Sequence, residues 1–210
     1  MKKGTRKERE TEERKKYIIE AAREMFARKG FASTTMDEIA EKTEFSKVTI
    51  YHYFKSKKEL LSQIIFNAYN DLLIITQKIL HEKREIPEKI KDLIHLHLQF
   101  VQNNKNIFKI FMAERGHVHI DMKKNFKRSI LNSRAKMFNL LTQIFDQGIK
   151  VKQFKNFNPE DMALTLLGLL HSFSFEWILG EKKEPLDEKA EIIYQIFLTG
   201  IQKEETEIGN

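Results

Sequence analysis

The sequence of 210 residues contains no cysteine, only three prolines and only eight glycines. Without cysteine the chain can form neither disulfides nor thiolate metal sites, and it has no cysteine nucleophile. No stretch reaches the ~18 consecutive apolar residues that indicate a membrane-spanning helix. The most apolar segment, MALTLLGLLHSFSFEWIL, is interrupted by His171, Ser172, Ser174 and Glu176. So few helix-breaking residues favour a largely helical protein without a membrane span.

Charged residues are abundant, and the basic ones are concentrated near the N-terminus. The formal net charge is +7, and residues 1–60 hold 16 Lys and Arg against 11 Asp and Glu, net +5. This excess favours an anionic partner, nucleic acid or a membrane surface, although a solvated helix face would explain the charge equally well. The many glutamates among these residues argue against a membrane surface. The segment MKKGTRKERETEERKKYI has no apolar core of a signal peptide, so we expect a cytoplasmic protein.

Apolar residues recur at helical spacing through nearly the whole chain, which predicts an all-α protein of about nine helices. Capping residues indicate where several helices begin: Thr35 with Glu38, Ser46, and Ser56 with Glu59. The helix that follows Ser56 carries an apolar stripe as far as Ile79, so we expect it to connect two halves of the chain. We predict helices over about residues 12–29, 121–150, 159–179 and 187–203, three short helix starts within residues 35–60, and further helices that begin at Pro87 and near Ile107.

Residues 36–54 are predicted to form a helix, a tight turn and a second helix. The second helix carries polar residues on its outer side: Lys47, Thr49, His52 and Lys55. Its other side holds Val48, Ile50 and Phe54. A helix that reads a DNA major groove needs such an anchored inner face, short polar side chains for base edges and flanking groups for phosphates.

Residues 30–61, GFASTTMDEIAEKTEFSKVTIYHYFKSKKELL, resemble the helix-turn-helix signature of TetR-type transcriptional repressors. The resemblance implies an N-terminal three-helix DNA-binding domain over residues 1–56, with a charged extension. A long helix would join it to a helical ligand-binding and dimerisation domain over residues 57–210. It also implies a ligand-responsive repressor rather than an enzyme, which binds a palindromic operator as a homodimer.

The resemblance also implies roles for individual residues. Lys47, Val48 and Thr49 lie where family members contact bases, while Ile50 and Phe54 match buried anchors. The aromatic run 51–53 would contact phosphates and some bases. The complete set expected to bind DNA is Thr35, Ser46, Lys47, Val48, Thr49, Tyr51, His52, Tyr53, Lys55 and Lys57.

Three positions depart from the family pattern. Glu44 replaces a turn glycine, and because a left-handed non-glycine residue costs about 1–2 kcal/mol, the turn is expected to be built differently. Val48 replaces a glycine, so it can pack on a thymine methyl but cannot donate a hydrogen bond from its side chain. The order Tyr51, His52, Tyr53 replaces Tyr-Tyr-His, so the Tyr53 hydroxyl is expected to hold phosphate.

The two C-terminal helices, 159–179 and 187–203, are apolar on more than one face, which favours a homodimer through both. Aromatic and methionine residues of the middle region suit a small, largely apolar effector. The candidates are Phe100, Phe108, Phe111, Met112, Phe126, Met137, Phe173 and Trp177. Residues 111–154 are similar in style to family members that sense fatty acyl thioesters. Basic residues near them could meet phosphates at the pocket mouth: Arg115, Lys123, Lys124, Lys127 and Arg128.

A metal-dependent helical enzyme is the alternative interpretation. Its ligands would come from His95, His97, His117 and His119, with Glu114 and Asp121 nearby. Residues two positions apart on a helix point in different directions, however, and no HExxH spacing occurs. We therefore expect no metal and no cofactor.

Overall fold

A computed structural model of the chain describes residues 5–109, 124–180 and 184–201. The elements of these residues are helices, which confirms the predicted all-α class. Residues 105–109 are also helical. The named helices are α1 (Arg6–Lys29), α2 (Met36–Thr43), α3 (Lys47–Tyr53), α4 (Lys57–His81), α5 (Ile86–Asn103), α6 (Lys124–Lys150), α7 (Pro159–Leu179), a 3-10 turn (Leu186–Lys189) and α8 (Ala190–Ile201).

Two compact units divide the chain. The first comprises residues 1–68 and 106–129, and the second comprises residues 69–105 and 130–210. The division falls inside α4, which is one continuous helix. The first unit thus contains α1, α2, α3 and the first turns of α4, whereas the second contains the rest of α4 together with α5, α7 and α8.

The core of the first unit is aliphatic and draws on all four of its helices. Ile18 and Phe26 of α1, Ile39 of α2, Ile50 of α3 and Leu60 of α4 are all buried. Burial of each such side chain contributes roughly 1.5–3 kcal/mol relative to exposure. Because α3 is only seven residues long, this shared core rather than its own helical hydrogen bonds keeps it folded.

Side-chain caps begin the first helices, as the sequence indicates for α2 and α3. Thr35 and Glu38 form a reciprocal capping box, and the Ser46 hydroxyl accepts the Thr49 N–H. The predicted start of α1 at Glu12 was wrong, because a second capping box, Thr5 with Glu8, begins the helix at Arg6. The added turns carry no apolar stripe, so the apolar pattern alone could not reveal them.

The second unit is built around α5. Its residues Ile90, Ile94 and Leu98 are fully buried, and α5 packs against α7, the 3-10 turn and α8. The Gln102 side-chain oxygen accepts the Leu186 N–H at 2.5 Å, which joins α5 to the 3-10 turn. The expected helix 187–203 therefore begins as a tighter 3-10 turn and continues as α8.

The α7 helix is long and apolar enough to cross a membrane by length and composition, with a mean hydropathy of 1.5. Only 39% of that window is buried within the chain. Its exposed apolar residues include Leu164, Phe175 and Leu179. A helix that packs against a partner chain meets the same criterion, so this composition does not by itself indicate a membrane.

The turn between α2 and α3 keeps the left-handed geometry even though it lacks glycine. Glu44 has φ 57° and ψ 20°, and the N–H groups of Glu44 and Phe45 donate to the last carbonyls of α2. The expectation that this turn would be built differently was therefore wrong. The core contacts of α2 and α3 fix the geometry of the turn. Glu44 therefore adopts the left-handed conformation, at a cost of about 1–2 kcal/mol.

Replacing Glu44 with glycine should relieve this strain. We expect Glu44→Gly to raise the free energy of unfolding by about 1 kcal/mol, because glycine adopts positive φ without a Cβ clash. Urea denaturation followed by circular dichroism measures the change. The matched control is Glu41→Gly inside α2, which should lower stability by about 1 kcal/mol. Equal losses in both variants would contradict the strain at Glu44.

Candidate nucleic-acid interface and a buried cavity

The α3 helix is held from below by Ile50 and Phe54, which are 0% and 5% exposed. Its outer surface presents Tyr51 and Val48, and Val48 is 81% exposed. The sequence-based placement of Val48 on the inner side was therefore wrong, since the inner face is narrow and is filled by Ile50 and Phe54. Because Ile50 anchors the helix, the exposed Val48 offers an apolar contact surface at the start of α3.

The polar residues at the start of α3 are already in contact with protein groups. The Ser46 and Thr49 hydroxyls lie 2.8 Å apart, and Ser46 also accepts the Thr49 N–H. The Lys47 ammonium donates to the Asp37 carboxylate at 2.6 Å, and both side chains are exposed. The hydrogen bond and the charge of Asp37 raise the pKa of Lys47. A phosphate that binds Lys47 therefore has to compete with Asp37.

Other residues of the predicted set lie around α3. The exposed Thr35 uses its hydroxyl within the capping box, accepting the Glu38 N–H at 3.1 Å. His52 is exposed, and its ring meets the half-buried Tyr53 edge to face at a centroid distance of 5.2 Å. Lys55 is exposed, and its backbone N–H donates to Glu59. The structure thus places the predicted residues at one end of α2, along α3 and at the start of α4.

Lys57 has a structural role that the sequence did not reveal. Its ammonium donates to the carbonyls of Phe31 and Ala32 at 2.8 and 3.1 Å, and it lies 4.9 Å from the centre of the Phe31 ring. Lys57 therefore ties the first turn of α4 to the loop between α1 and α2. An ammonium has three donors, so one remains after these two bonds. No local pattern could predict these contacts, because the partners are separated by 25 and 26 residues.

Two further ion pairs join α1 to α2. Lys29 lies 2.5 Å from Glu38, and Lys42 contacts Glu24. The hydrogen bond and charge of Lys42 lower the pKa of Glu24, and the hydrogen bond from Lys29 contributes most to lowering that of Glu38. Several basic side chains of the first unit are consequently paired with carboxylates on its surface.

The second unit contains a small, partly open cavity of about 20 Å³, which is room for about one water molecule. Four helices supply its described lining, which is mostly leucine and includes two polar side chains, Thr76 and His97. The described lining residues are Leu72 and Thr76 of α4, Leu93 and His97 of α5, Met137 and Leu141 of α6, and Leu166, Leu167 and Leu170 of α7. Because α4 also begins beside α3, a molecule in this cavity would touch the helix that leads to the candidate interface.

His97 is the most perturbed titratable group of the cavity. Burial, with a smaller effect of His171, lowers the pKa of His97 to about 3, so the ring is uncharged at neutral pH. The ring of His171 on α7 lies 5.9 Å away. Desolvation and the charge of Arg134 lower the pKa of His171 as well. The cavity wall is thus apolar and electrically neutral, with one imidazole available for hydrogen bonding.

The residues predicted to bind a ligand are distributed over both units. Met137 lies in the described lining of the cavity. Phe100 packs edge to face with Tyr69, and Trp177 donates its indole N–H to the Glu184 carbonyl with Lys105 over its ring. Phe108 and Phe173 are half-buried. Phe111, Met112 and the side chain of Phe126 lie outside the described residues, so the predicted set stays a prediction. The leucines were missed because an apolar lining residue looks the same in sequence as a core residue.

The metal alternative gains no support. Among the residues that the structure describes, no three His, Asp or Glu side chains are grouped so that they could hold a metal ion. His117 and His119 lie outside the described residues, as do Arg115 and Lys123 of the predicted phosphate contacts. The side chains of Lys124 and Lys127 are likewise not described, whereas Arg128 is exposed.

Comparison with known proteins covers both units. Residues 18–64 match the model of bacterial regulatory proteins of the tetR family, and residues 83–201 match that of a tetracyclin repressor-like C-terminal domain. An uncharacterized HTH-type transcriptional regulator of Bacillus subtilis, YhgD, is 29% identical over 176 residues, which is 82% of this chain and 87% of that protein.

Two solved structures share the fold. A transcriptional regulator from Saccharomonospora viridis in complex with choline has a TM-score of 0.77 and 17% identity, covering 92% of this chain and 100% of that one. The transcriptional regulator FadR from Bacillus subtilis in complex with stearoyl-CoA has a TM-score of 0.69 and 20% identity, covering 89% of this chain and 98% of that one.

The two hydrogen bonds from Lys57 to the Phe31 and Ala32 carbonyls form a clamp between α4 and the loop after α1. Its contribution can be tested by measuring the stability of the folded protein. We expect Lys57→Met, which keeps most of the aliphatic stem, to lower the free energy of unfolding by about 1 kcal/mol, because two carbonyls lose a charged donor. The control is Lys55→Met, an exposed lysine nearby, which should change stability by less than about 0.5 kcal/mol. Urea denaturation measures both, and equal stabilities would contradict the clamp.

Proposed function

Because the chain belongs to the TetR family of bacterial regulatory proteins, we propose that it represses transcription by binding a palindromic operator as a homodimer. We further propose that a small, largely apolar effector releases it from the operator. The family is one of DNA-binding transcriptional regulators, not of enzymes. A regulator of this kind works where the chromosome is, so we place it in the cytoplasm.

DNA binding is supported chiefly by the exposure pattern of α3. Ile50 is fully buried beneath the helix, whereas Lys47, Val48 and Tyr51 are exposed on its outer surface. Short polar and apolar side chains at the start of a helix are suited to base edges and to the thymine methyl. We propose that Lys47, Val48 and Thr49 contact bases.

Phosphate contacts would surround this helix. We assign them to the aromatic residues of α3 and to the lysines that follow it. The remaining donor of Lys57 can reach a phosphate while its other two hold the loop after α1. The proposed phosphate contacts, with the capping residues near the backbone, are Thr35, Ser46, Tyr51, His52, Tyr53, Lys55 and Lys57.

Homodimerisation is supported by the unpaired apolar faces of α7 and α8. Leu164, Phe175 and Leu179 of α7 are exposed, as are Ile192 and Ile196 of α8. A Cβ placed at Gly168, which lies in the exposed face of α7, would meet no atom within 4 Å, so another helix can approach closely there. A second copy presents the same faces, and an isologous contact would cover both at once.

An effector in the cavity could act on DNA binding through α4. Leu72 and Thr76 line the cavity, and the same helix begins at Lys57 beside α3. A ligand that prefers one position of α4 would shift the population of the dimer towards that spacing of its recognition helices. The function therefore divides near the start of α4, with residues 1–56 for DNA and 57–210 for the effector and the partner subunit. A fatty acyl-CoA is one candidate effector, since the similar FadR structure holds stearoyl-CoA.

Selection of bound fragments from a random DNA pool tests the proposed function. We expect a palindrome with half-sites spaced by one helical turn or a multiple of it. Thr49→Ala should change the recovered bases. Lys57→Ala should weaken binding to all sequences and lower the slope of affinity against salt by about 1 for each lost phosphate contact.

Circular dichroism at the temperature of the binding experiment checks that both variants are folded, because Lys57→Ala also removes the clamp. The assignments fail if both variants bind DNA as the unchanged protein does and differ from it only in thermal stability. A selected site without twofold symmetry would contradict the palindromic operator.

The dimer interface is tested by a charge on the exposed face of α7. Leu164→Glu should convert the dimer to a monomer in analytical ultracentrifugation and lower operator affinity at least about tenfold, because a carboxylate would be buried at the contact. The matched control is Val151→Glu, which replaces an apolar residue of similar exposure outside α7 and α8 and should leave the dimer intact. A dimeric Leu164→Glu protein would refute the interface.

A further inference from the structure

We propose that Asp37 is a specificity-determining residue, because its carboxylate holds the Lys47 ammonium and directs it towards uncharged base edges rather than phosphates. Asp37 would then weaken binding to the DNA backbone alone more than binding to a preferred sequence. This role rests on the proposed function and deepens it, since Lys47 is itself proposed to contact bases.

Two neighbouring helices bring the pair together. Lys47 is the first residue of α3, and Asp37 lies in the first turn of α2. The Lys47 ammonium donates to the Asp37 carboxylate at 2.6 Å, although the two residues are ten positions apart in the sequence. Because α2 packs against α3, the carboxylate is presented beside the start of the helix that is proposed to read the bases.

Asp37 differs from Glu38, the next carboxylate of α2. One oxygen of Glu38 accepts the Thr35 backbone N–H within the capping box, and the other accepts from Lys29. Glu38 therefore acts within the first unit, where it fixes the start of α2 and joins α2 to α1. Asp37 contacts the α3 lysine instead, and the side chains of Asp37 and Lys47 are 55% and 65% exposed. DNA that approaches α3 can consequently reach both members of this pair.

The charges of the pair cancel, whereas its hydrogen-bonding capacity remains. An ammonium has three donors, so Lys47 keeps two after its bond to Asp37. The O6 and N7 atoms of guanine are uncharged acceptors in the major groove, and they can accept these two donors without displacing Asp37. A phosphate is negative and would lie close to the Asp37 carboxylate, so the two repel each other unless the pair opens. The contact therefore favours base edges over the backbone.

Fluorescence anisotropy with two duplexes tests this role: the operator recovered by selection, and a duplex of the same length with a scrambled sequence. Asp37→Asn keeps the shape of the side chain but removes its charge. We expect it to tighten binding to the scrambled duplex about three- to fivefold, the range expected when one exposed charge pair is lost. Operator affinity should change by less than about twofold, so the ratio of the two affinities falls.

The salt dependence gives a second measurement on the same samples. For the scrambled duplex, the slope of log affinity against log salt should become steeper in Asp37→Asn by up to about 1, because Lys47 becomes free to hold one phosphate. A change that affected only the stability of the fold would leave this slope unchanged. Circular dichroism at the temperature of the measurement checks that each variant is folded.

Matched controls separate this contact from the general effect of net charge. Glu41→Gln removes one negative charge from an exposed position one turn further along α2, and it should tighten binding to both duplexes equally, by less than about twofold. In the Lys47→Met background, Asp37→Asn should have no larger effect than Glu41→Gln. The proposal is overturned if Asp37→Asn alone behaves as Glu41→Gln does, or if its effect persists in the Lys47→Met background.

Different outcomes would contradict this role and the proposed function. If the folded protein binds neither duplex, the proposed function fails and the role of Asp37 fails with it. If the operator is preferred and Asp37→Asn leaves that preference unchanged, the proposed function stands and only the role of Asp37 is wrong.

Discussion

The continuity of α4 is the constraint on which both candidate sites depend. Its first residue, Lys57, is bound to two carbonyls of the loop after α1, so the start of the helix cannot move without that loop. Further along the same helix, Leu72 and Thr76 form part of the cavity wall. In the proposed mechanism, a ligand that contacts this wall would act on the same helix that begins at Lys57.

Several lysines on the surface of the first unit are paired with carboxylates, so a phosphate that binds them has to compete with those carboxylates. Asp37 holds Lys47, Glu38 holds Lys29 and Glu24 holds Lys42. Exposed ion pairs of this kind contribute only about 0–1 kcal/mol, so a phosphate can displace a carboxylate at little cost. The carboxylates nevertheless reduce the attraction for any phosphate backbone. In the proposed complex, discrimination between sequences would come from the side chains at the start of α3 that are proposed to contact bases.

Local signals in the sequence predicted most of the fold and the outer surface of α3, because caps and apolar spacing act within a few residues. Thr35, Glu38 and Ser46 mark helix starts that the structure confirms. Four features could not be predicted. The α1 extension has no apolar stripe, the Lys57 clamp joins distant residues, and the left-handed Glu44 is imposed by the packing of its flanking helices. The cavity wall is the fourth, because leucines that line a cavity and leucines that fill a core have the same spacing in the sequence.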